Sequence, residues 1–197
     1  MDQTVARYFD KQFGLEAVKI LPGQFYSARR DIVIVTVLGS CVSACLWDPA
    51  THIGGMNHFM LPGEDTSLEN VSGRYGLYSM ELLINDMMHR GSRRSLLAAK
   101  VFGAASVMSC VAKERSVSAA NERFVRQLLN NEGIPIACAD LGGESGRRIA
   151  FFLDTGKVKV RRLGQTEVGR VQEAENRYRM KQAQAIKAPR EMEVELF

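Results

Sequence analysis

The stretch DIVIVTVLG, residues 31–39, constrains this chain more than any other segment. It is almost unbroken in β-branched residues, which pack well on a pleated surface, so it reads as a strand that ends in a Gly39-Ser40 turn. VKILPGQFY, just before it, reads as strand as well. RYGLYSMELLINDMMHRG then places Leu77, Met80, Leu83 and Met87 at helical spacing, a stripe suited to core packing, with Gly91 as the stop. LLAAKVFGAASVM reads as a buried strand, and SAANERFVRQLLNNEG as a helix with Ser118 as N-cap and Gly133 just past its end. IPIACADLG, RIAFFLDTG and KVKVRRL read as strands, the last two joined by a hairpin turn at Asp154-Thr155-Gly156. Strands, helix, strand, helix, strands is not a regular βαβ alternation. The order predicts an α+β fold of layered, mixed sheets rather than a doubly wound sheet.

The 197 residues are enough for a single domain with a sizeable core. We expect residues 1–16 to form a loosely held N-terminal extension, 17–165 the folded domain, and 166–197 a polar C-terminal tail, as solvated helix or disordered chain, whose final VELF could dock on a partner. The 46% hydrophobic and 24% charged content is that of a soluble protein, with no apolar run long enough for a membrane span. MDQTVARYFDKQFG lacks the continuous apolar core of a signal peptide, which points to a cytoplasmic protein without membrane insertion. The net charge of +4 is mild. Arg90, Arg93 and Arg94, and Lys157, Lys159, Arg161 and Arg162, are the densest basic patches, and no aromatic-interleaved groove or zinc-finger spacing accompanies them, which argues against nucleic acid.

Four cysteines, Cys41, Cys45, Cys110 and Cys138, are expected to be reduced in the cytosol. Cys41 and Cys45 have no second Cys/His pair with them, so they match zinc spacing poorly. A redox pair is also disfavoured, because residues four apart in one strand lie too far apart for a disulfide. Cys41 has a different setting: it follows a Gly-Ser turn, with His58 beyond the next turn. If Asp48-Pro49-Ala50-Thr51 makes a tight hairpin, Cys41 lies directly opposite His58, where Cβ atoms are about 4.5–5.5 Å apart. Val42, Ala44, Leu46 and Ile53 then share one face, and Cys41, Ser43, Met56 and His58 the other. A bulge at Gly54-Gly55 or a longer loop would shift this register. An imidazole beside a thiol can take its proton, the Gly39-Ser40 turn can present N–H groups to an oxyanion, and Thr36 can orient the ring. The same residues also suit a small buried cysteine and a core histidine.

TVLGSC, GGMNHFMLP, AKVFGAA and DLGGESGRR occur in that order, and together they resemble the CheD family of chemoreceptor glutamine deamidases, from about Val18 to Leu163. The resemblance implies a β-sandwich flanked by helices and a Cys–His–Thr triad on Cys41, His58 and Thr36, with backbone support from Gly39 and Ser40. It implies hydrolysis of receptor glutamine side chains to glutamate through a cysteine thioester, with no metal or cofactor. Methyl-accepting chemoreceptors are the implied partners, with a CheC-type phosphatase a further partner in organisms that have one. Where family members often carry Gly-Glu-Arg-Asn, this chain has Ser118-Ala119-Ala120-Asn121, keeping only Asn121. The competing readings are a non-catalytic adaptor that binds receptors or a phosphatase, and a receptor methylesterase using the same thioester chemistry. Arg93, Arg94 or Arg147 could meet acidic residues on a receptor helix.

Overall fold

A computed structural model describes residues 4–61, 71–106 and 116–187. Two five-stranded mixed sheets stack face to face. The first has the order β1 (Ala6–Asp10), β2 (Leu15–Lys19), β4 (Ile32–Leu38), β9 (Arg147–Phe152), β10 (Lys157–Arg162). The second has the order β3 (Phe25–Arg29), β6 (Ile53–Asn57), β5 (Val42–Asp48), β7 (Ala98–Gly103), β8 (Ile136–Leu141). Neighbours are antiparallel except β2 with β4 and β7 with β8. Helices α1 (Val71–His89) and α2 (Val117–Asn131) cover the outer face of the second sheet, and α3 (Gln165–Lys187) follows the last strand. This is the expected α+β layered sandwich. No helix among the described residues is long and apolar enough to cross a membrane.

Three layers of apolar side chains follow from strand alternation. Val42, Ala44, Leu46 and Ile53 point to the helices and pack with Leu83, Met87, Phe124 and Leu128. Cys41, Cys45 and Met56, on the opposite face, pack between the sheets against Ile34, Leu38, Ile149 and Phe151. β4 buries both faces: Val33 and Val35 pack outward with Ala17 and Ala150. That double burial explains why DIVIVTVLG carries no polar alternation.

Both segments read as an extension and a tail contain regular structure among the described residues. Residues 6–10 form the edge strand of the first sheet, and much of the segment after Leu163 is helix. VELF lies outside the described residues. The N-cap of α2 is Ser116, whose Oγ accepts from the Ala119 N–H at 3.3 Å; Ser118 is buried inside the helix and hydrogen-bonds to Ser116. Arg147 is fully buried and hydrogen-bonds to Asp140 and the Gly142 carbonyl, so it holds the loop after β8 and is not available to a receptor.

The β5–β6 connection departs from the tight hairpin. Asp48 pairs with Ile53, leaving a four-residue loop with His52 in the left-handed region at φ 53°. The Asp48 side chain holds that loop. One oxygen accepts from the Ala50 and Thr51 N–H groups, and the other from Ser92 Oγ at 2.9 Å and the Arg93 N–H at 3.2 Å. Burial pushes the Asp48 pKa up, but those hydrogen bonds prevail and hold it below its ordinary 3.8. A lowered carboxylate pKa stabilises the fold above the unfolded value, and that stability is lost as pH falls through the folded value. Asp48→Asn turns an NH2 toward one pair of donors. It should cost about 1–3 kcal/mol at neutral pH, with the deficit against wild type shrinking below pH 3.8. Urea denaturation at several pH values checks both.

Candidate active site

The segment Gly39-Ser40-Cys41 runs from the first sheet into the second, and its three carbonyls are tied back into the protein. The Gly39 carbonyl accepts from the Ala105 N–H at 2.7 Å and the Cys41 carbonyl from the Ala104 N–H at 2.7 Å. The Ser40 carbonyl accepts from Asn121 Nδ2 at 3.0 Å. Gly103 makes this approach possible: its φ is 116°, and there is no room for a Cβ against the Cys41 carbonyl oxygen. Behind it, the Gly142 N–H donates to the Gly103 carbonyl and the Ser106 N–H to the Gly143 carbonyl. The AKVFGAA and DLGGESGRR motifs are therefore braces of the cysteine loop.

With the carbonyls engaged, the three N–H groups of Gly39, Ser40 and Cys41 converge as an anion-binding nest. They meet the carboxylate of Glu175 on α3. Oε1 accepts from the Gly39 N–H at 3.0 Å and the Cys41 N–H at 3.2 Å, and Oε2 from the Ser40 N–H at 3.1 Å and Ser40 Oγ at 2.7 Å. Glu175 is only 5% exposed. A Cβ on Gly39 would lie 3.0 Å from both carboxylate oxygens, so glycine leaves room for the anion.

His58 does not lie directly opposite Cys41. The four-residue loop moves the pairing by two: Cys45 faces Met56 and Val42 faces Phe59, which puts Met60 across from Cys41 and Ser43 across from His58. An even shift preserves the faces, so Cys41 and His58 are diagonal neighbours on the same side. Such pairs have Cα atoms about 7–8 Å apart, within reach of a ring side chain. The backbone of His58 is fixed by the β2–β3 turn, donating to the Gln24 carbonyl at 2.9 Å and accepting from the Gly23 N–H at 2.7 Å.

Thr36 sits on β4 in the facing sheet. Its hydroxyl donates to the Ile20 carbonyl at 2.8 Å, and its Oγ1 lies 2.8 Å from His58 Nδ1. The single hydroxyl proton is spent on Ile20, so Oγ1 accepts from an Nδ1–H. That tautomer leaves the Nε2 lone pair free, and Nε2 is buried without a hydrogen-bond partner among the described residues. An oriented imidazole with an unused basic nitrogen is the element a thiol nucleophile needs.

The site is buried with α3 in place. Cys41 is 0% and His58 2% exposed. Burial, and after it the Glu175 carboxylate, pushes the Cys41 thiol well up, while burial holds His58 well down against the opposing pull of Glu175. Both groups are therefore neutral at pH 7. Cys45 is buried and its thiol is also pushed up, by burial, as expected of a packing residue.

Thr36, Gly39, Ser40, Cys41 and His58 are thus brought together. Two residues escaped the sequence reading as site residues. Asn121 bridges the site, donating to the Ser40 carbonyl and accepting from the Leu61 N–H at 2.9 Å, so it ties the cysteine loop to the segment after His58. Its only signal was its survival in an otherwise altered motif. Glu175 had no signal, because it lies 134 residues from Cys41 in a polar stretch.

Residues 60–162 match the family model described as CheD chemotactic sensory transduction. The chain is 43% identical over 178 residues to a protein of Shewanella oneidensis named "Probable chemoreceptor glutamine deamidase CheD 1", covering 89% of this chain and 86% of that protein. A Dechloromonas aromatica protein of the same name is 44% identical over 97% of this chain and 94% of its own length. One from Bordetella petrii, "Probable chemoreceptor glutamine deamidase CheD", is 49% identical over 79% and 70%.

The burial of Cys41 and Cys45 has a direct consequence. Iodoacetamide at neutral pH should label the exposed Cys138 at least about tenfold faster than either of them, since the thiolate is the reactive form. Peptide-level mass analysis over time reads the order.

Proposed function

The chain belongs to the CheD family, and from that premise we propose that it is a chemoreceptor glutamine deamidase, with Cys41 as nucleophile, His58 as acid–base and Thr36 as the residue that positions His58. The observation that carries this reading is the Ile20–Thr36–His58 hydrogen-bond chain, which frees Nε2 on the face shared with Cys41. The substrate is a glutamine side chain exposed on a receptor helix. Its carboxamide oxygen takes the place held by the Glu175 carboxylate, against the N–H groups of Gly39 and Cys41.

His58 Nε2 removes the Cys41 proton as Sγ attacks the carboxamide carbon, and the nest N–H groups hold the negative oxygen that results. The tetrahedral adduct collapses by breaking the C–N bond. Ammonia departs with the proton returned by His58, and a γ-glutamyl thioester remains on Cys41. A water then gives its proton to His58 and attacks the thioester carbon. Sγ leaves and is reprotonated, and glutamate is released. Every proton passes through one imidazole, and neither a metal nor a redox cofactor enters any step. The new carboxylate adds a negative charge to the receptor helix and creates a site for methylation. In this reading the protein works in the cytoplasm, at the signalling helices of methyl-accepting receptors. A CheC-type phosphatase is the expected regulatory partner in an organism that encodes one.

The test is a receptor cytoplasmic fragment incubated with wild type, Cys41→Ala, His58→Ala and Thr36→Val, followed by peptide mass analysis. Wild type should convert particular glutamines to glutamate, and Cys41→Ala and His58→Ala should convert none above background. Thr36→Val should slow conversion by about 10²–10⁴-fold through loss of the correct tautomer. Intact glutamines on a fragment that wild type still binds would favour the adaptor reading.

A further inference from the structure

We propose that α3 is a built-in product mimic: it occupies the cleft meant for the receptor helix, with Glu175 standing where the product glutamate stands after hydrolysis. The inference rests on the deamidase reading and deepens it, because it identifies the surface that receives the substrate helix. Deamidation of a helical glutamine yields a helical glutamate. Here a glutamate on a helix delivers its carboxylate to the N–H groups of Gly39, Ser40 and Cys41 and to the Ser40 hydroxyl, with four hydrogen bonds of 2.7–3.2 Å. The same carboxylate is the charged neighbour of both the Cys41 thiol and His58.

The oxygens divide as a product's would. Oε1 lies against the Gly39 and Cys41 N–H groups, the place for the oxygen of the attacked carbonyl. Oε2 lies against Ser40, where it accepts from both the N–H and the hydroxyl. An amide nitrogen at Oε2 would face the Ser40 N–H donor to donor. The nest therefore holds the acid better than the amide, as a product mimic requires.

The rest of α3 docks in the manner of a guest helix. Its described buried side chains are polar: Glu175, and Gln182, which donates to the Met60 carbonyl at 3.2 Å. Tyr178, between them on the same face, meets the Tyr75 hydroxyl and leaves no room for a Cβ at Gly23. No apolar α3 side chain among the described residues is fully buried, and Met180 is 68% exposed. A helix that belonged permanently to the core would bury an apolar stripe, as α2 does with Phe124, Val125, Leu128 and Leu129. Beside Glu175 a cavity of about 350 Å³, lined in part by Thr36, His58 and Val171, remains under α3, so the helix covers the cleft without filling it. A receptor helix must displace α3 to reach Cys41. The fraction of molecules with α3 undocked then sets the apparent activity.

The decisive variant is Glu175→Gln, which turns the mimic into a substrate in cis. Cys41 Sγ would attack Cδ of the new amide, the C–N bond would break with ammonia leaving on the proton from His58, and water would release the thioester as glutamate at position 175. The purified full-length variant is digested with trypsin, and the peptide spanning residues 171–177 is sequenced by mass analysis, with Gln172 in the same peptide as internal control. We expect glutamate at 175 and an intact Gln172, and an intact amide at 175 in the Cys41→Ala/Glu175→Gln double variant. Glu175→Ala should raise kcat/KM on a receptor fragment, by about tenfold if roughly one molecule in ten is open in wild type. An amide persisting at 175 in a protein that deamidates the receptor fragment would overturn the mimic and leave the enzyme standing. So would a Glu175→Ala variant that folds but loses receptor activity, since Glu175 would then build the cysteine loop rather than block it. Failure on both substrates, in cis and in the receptor, would sink the deamidase reading itself and this inference with it.

Discussion

The site depends on where three consecutive carbonyls point. Because Gly39, Ser40 and Cys41 each give their carbonyl oxygen to a donor behind the loop, their N–H groups have only the cleft to face. The donors are Ala105, Asn121 and Ala104, from the end of β7 and from α2. Elements far apart in sequence are thus recruited to orient one tripeptide, which explains why AKVFGAA and DLGGESGRR accompany the cysteine motif without joining it. The result is a preorganised anion site that needs no charged side chain and no reorganisation when charge develops. Its cost is strain at Ala104, which has φ 53°.

The histidine is positioned by the opposite sheet. Thr36 belongs to β4 and His58 follows β6, so their 2.8 Å hydrogen bond is a contact across the sandwich. The Thr36–His58 pair therefore exists only when the two sheets are packed, and the apolar layer formed by Ile34, Leu38, Met56 and Phe151 between them holds the proposed site together. A thiol in that layer is chemically quiet while α3 is docked, since burial keeps both Cys41 and His58 neutral.

Much of this was legible in the sequence, for definable reasons. Period-two alternation separated Val42, Ala44 and Leu46 from Cys41 and Met56 correctly, and β-branching marked β4. The register was missed by two, because Asp48 was read as the first residue of a tight turn; its side chain in fact caps a four-residue loop reaching Ser92 and Arg93, which no local pattern announces. Ser118 and Ser116 are equally good caps by composition, and only the backbone chooses. Arg147 looked like a cation free to meet a receptor because its partners, Asp140 on β8 and the Gly142 carbonyl just after it, are fixed by the β8–β9 turn and not by any pattern around Arg147. Glu175 was invisible for a deeper reason. A helix held by polar contacts has the sequence of a solvated helix, so composition cannot separate a docked helix from a tail.

The proposed reaction turns on Cys41 carrying the substrate covalently. The most direct measurement is an acid quench of the reaction between wild type and a receptor fragment in its early turnovers, with intact-mass and peptide analysis of the protein. A thioester intermediate predicts a fraction of molecules bearing the fragment, minus ammonia, on the peptide that contains Cys41, and no adduct in Cys41→Ala. Glutamine conversion that proceeds without an adduct and survives in Cys41→Ala would contradict it.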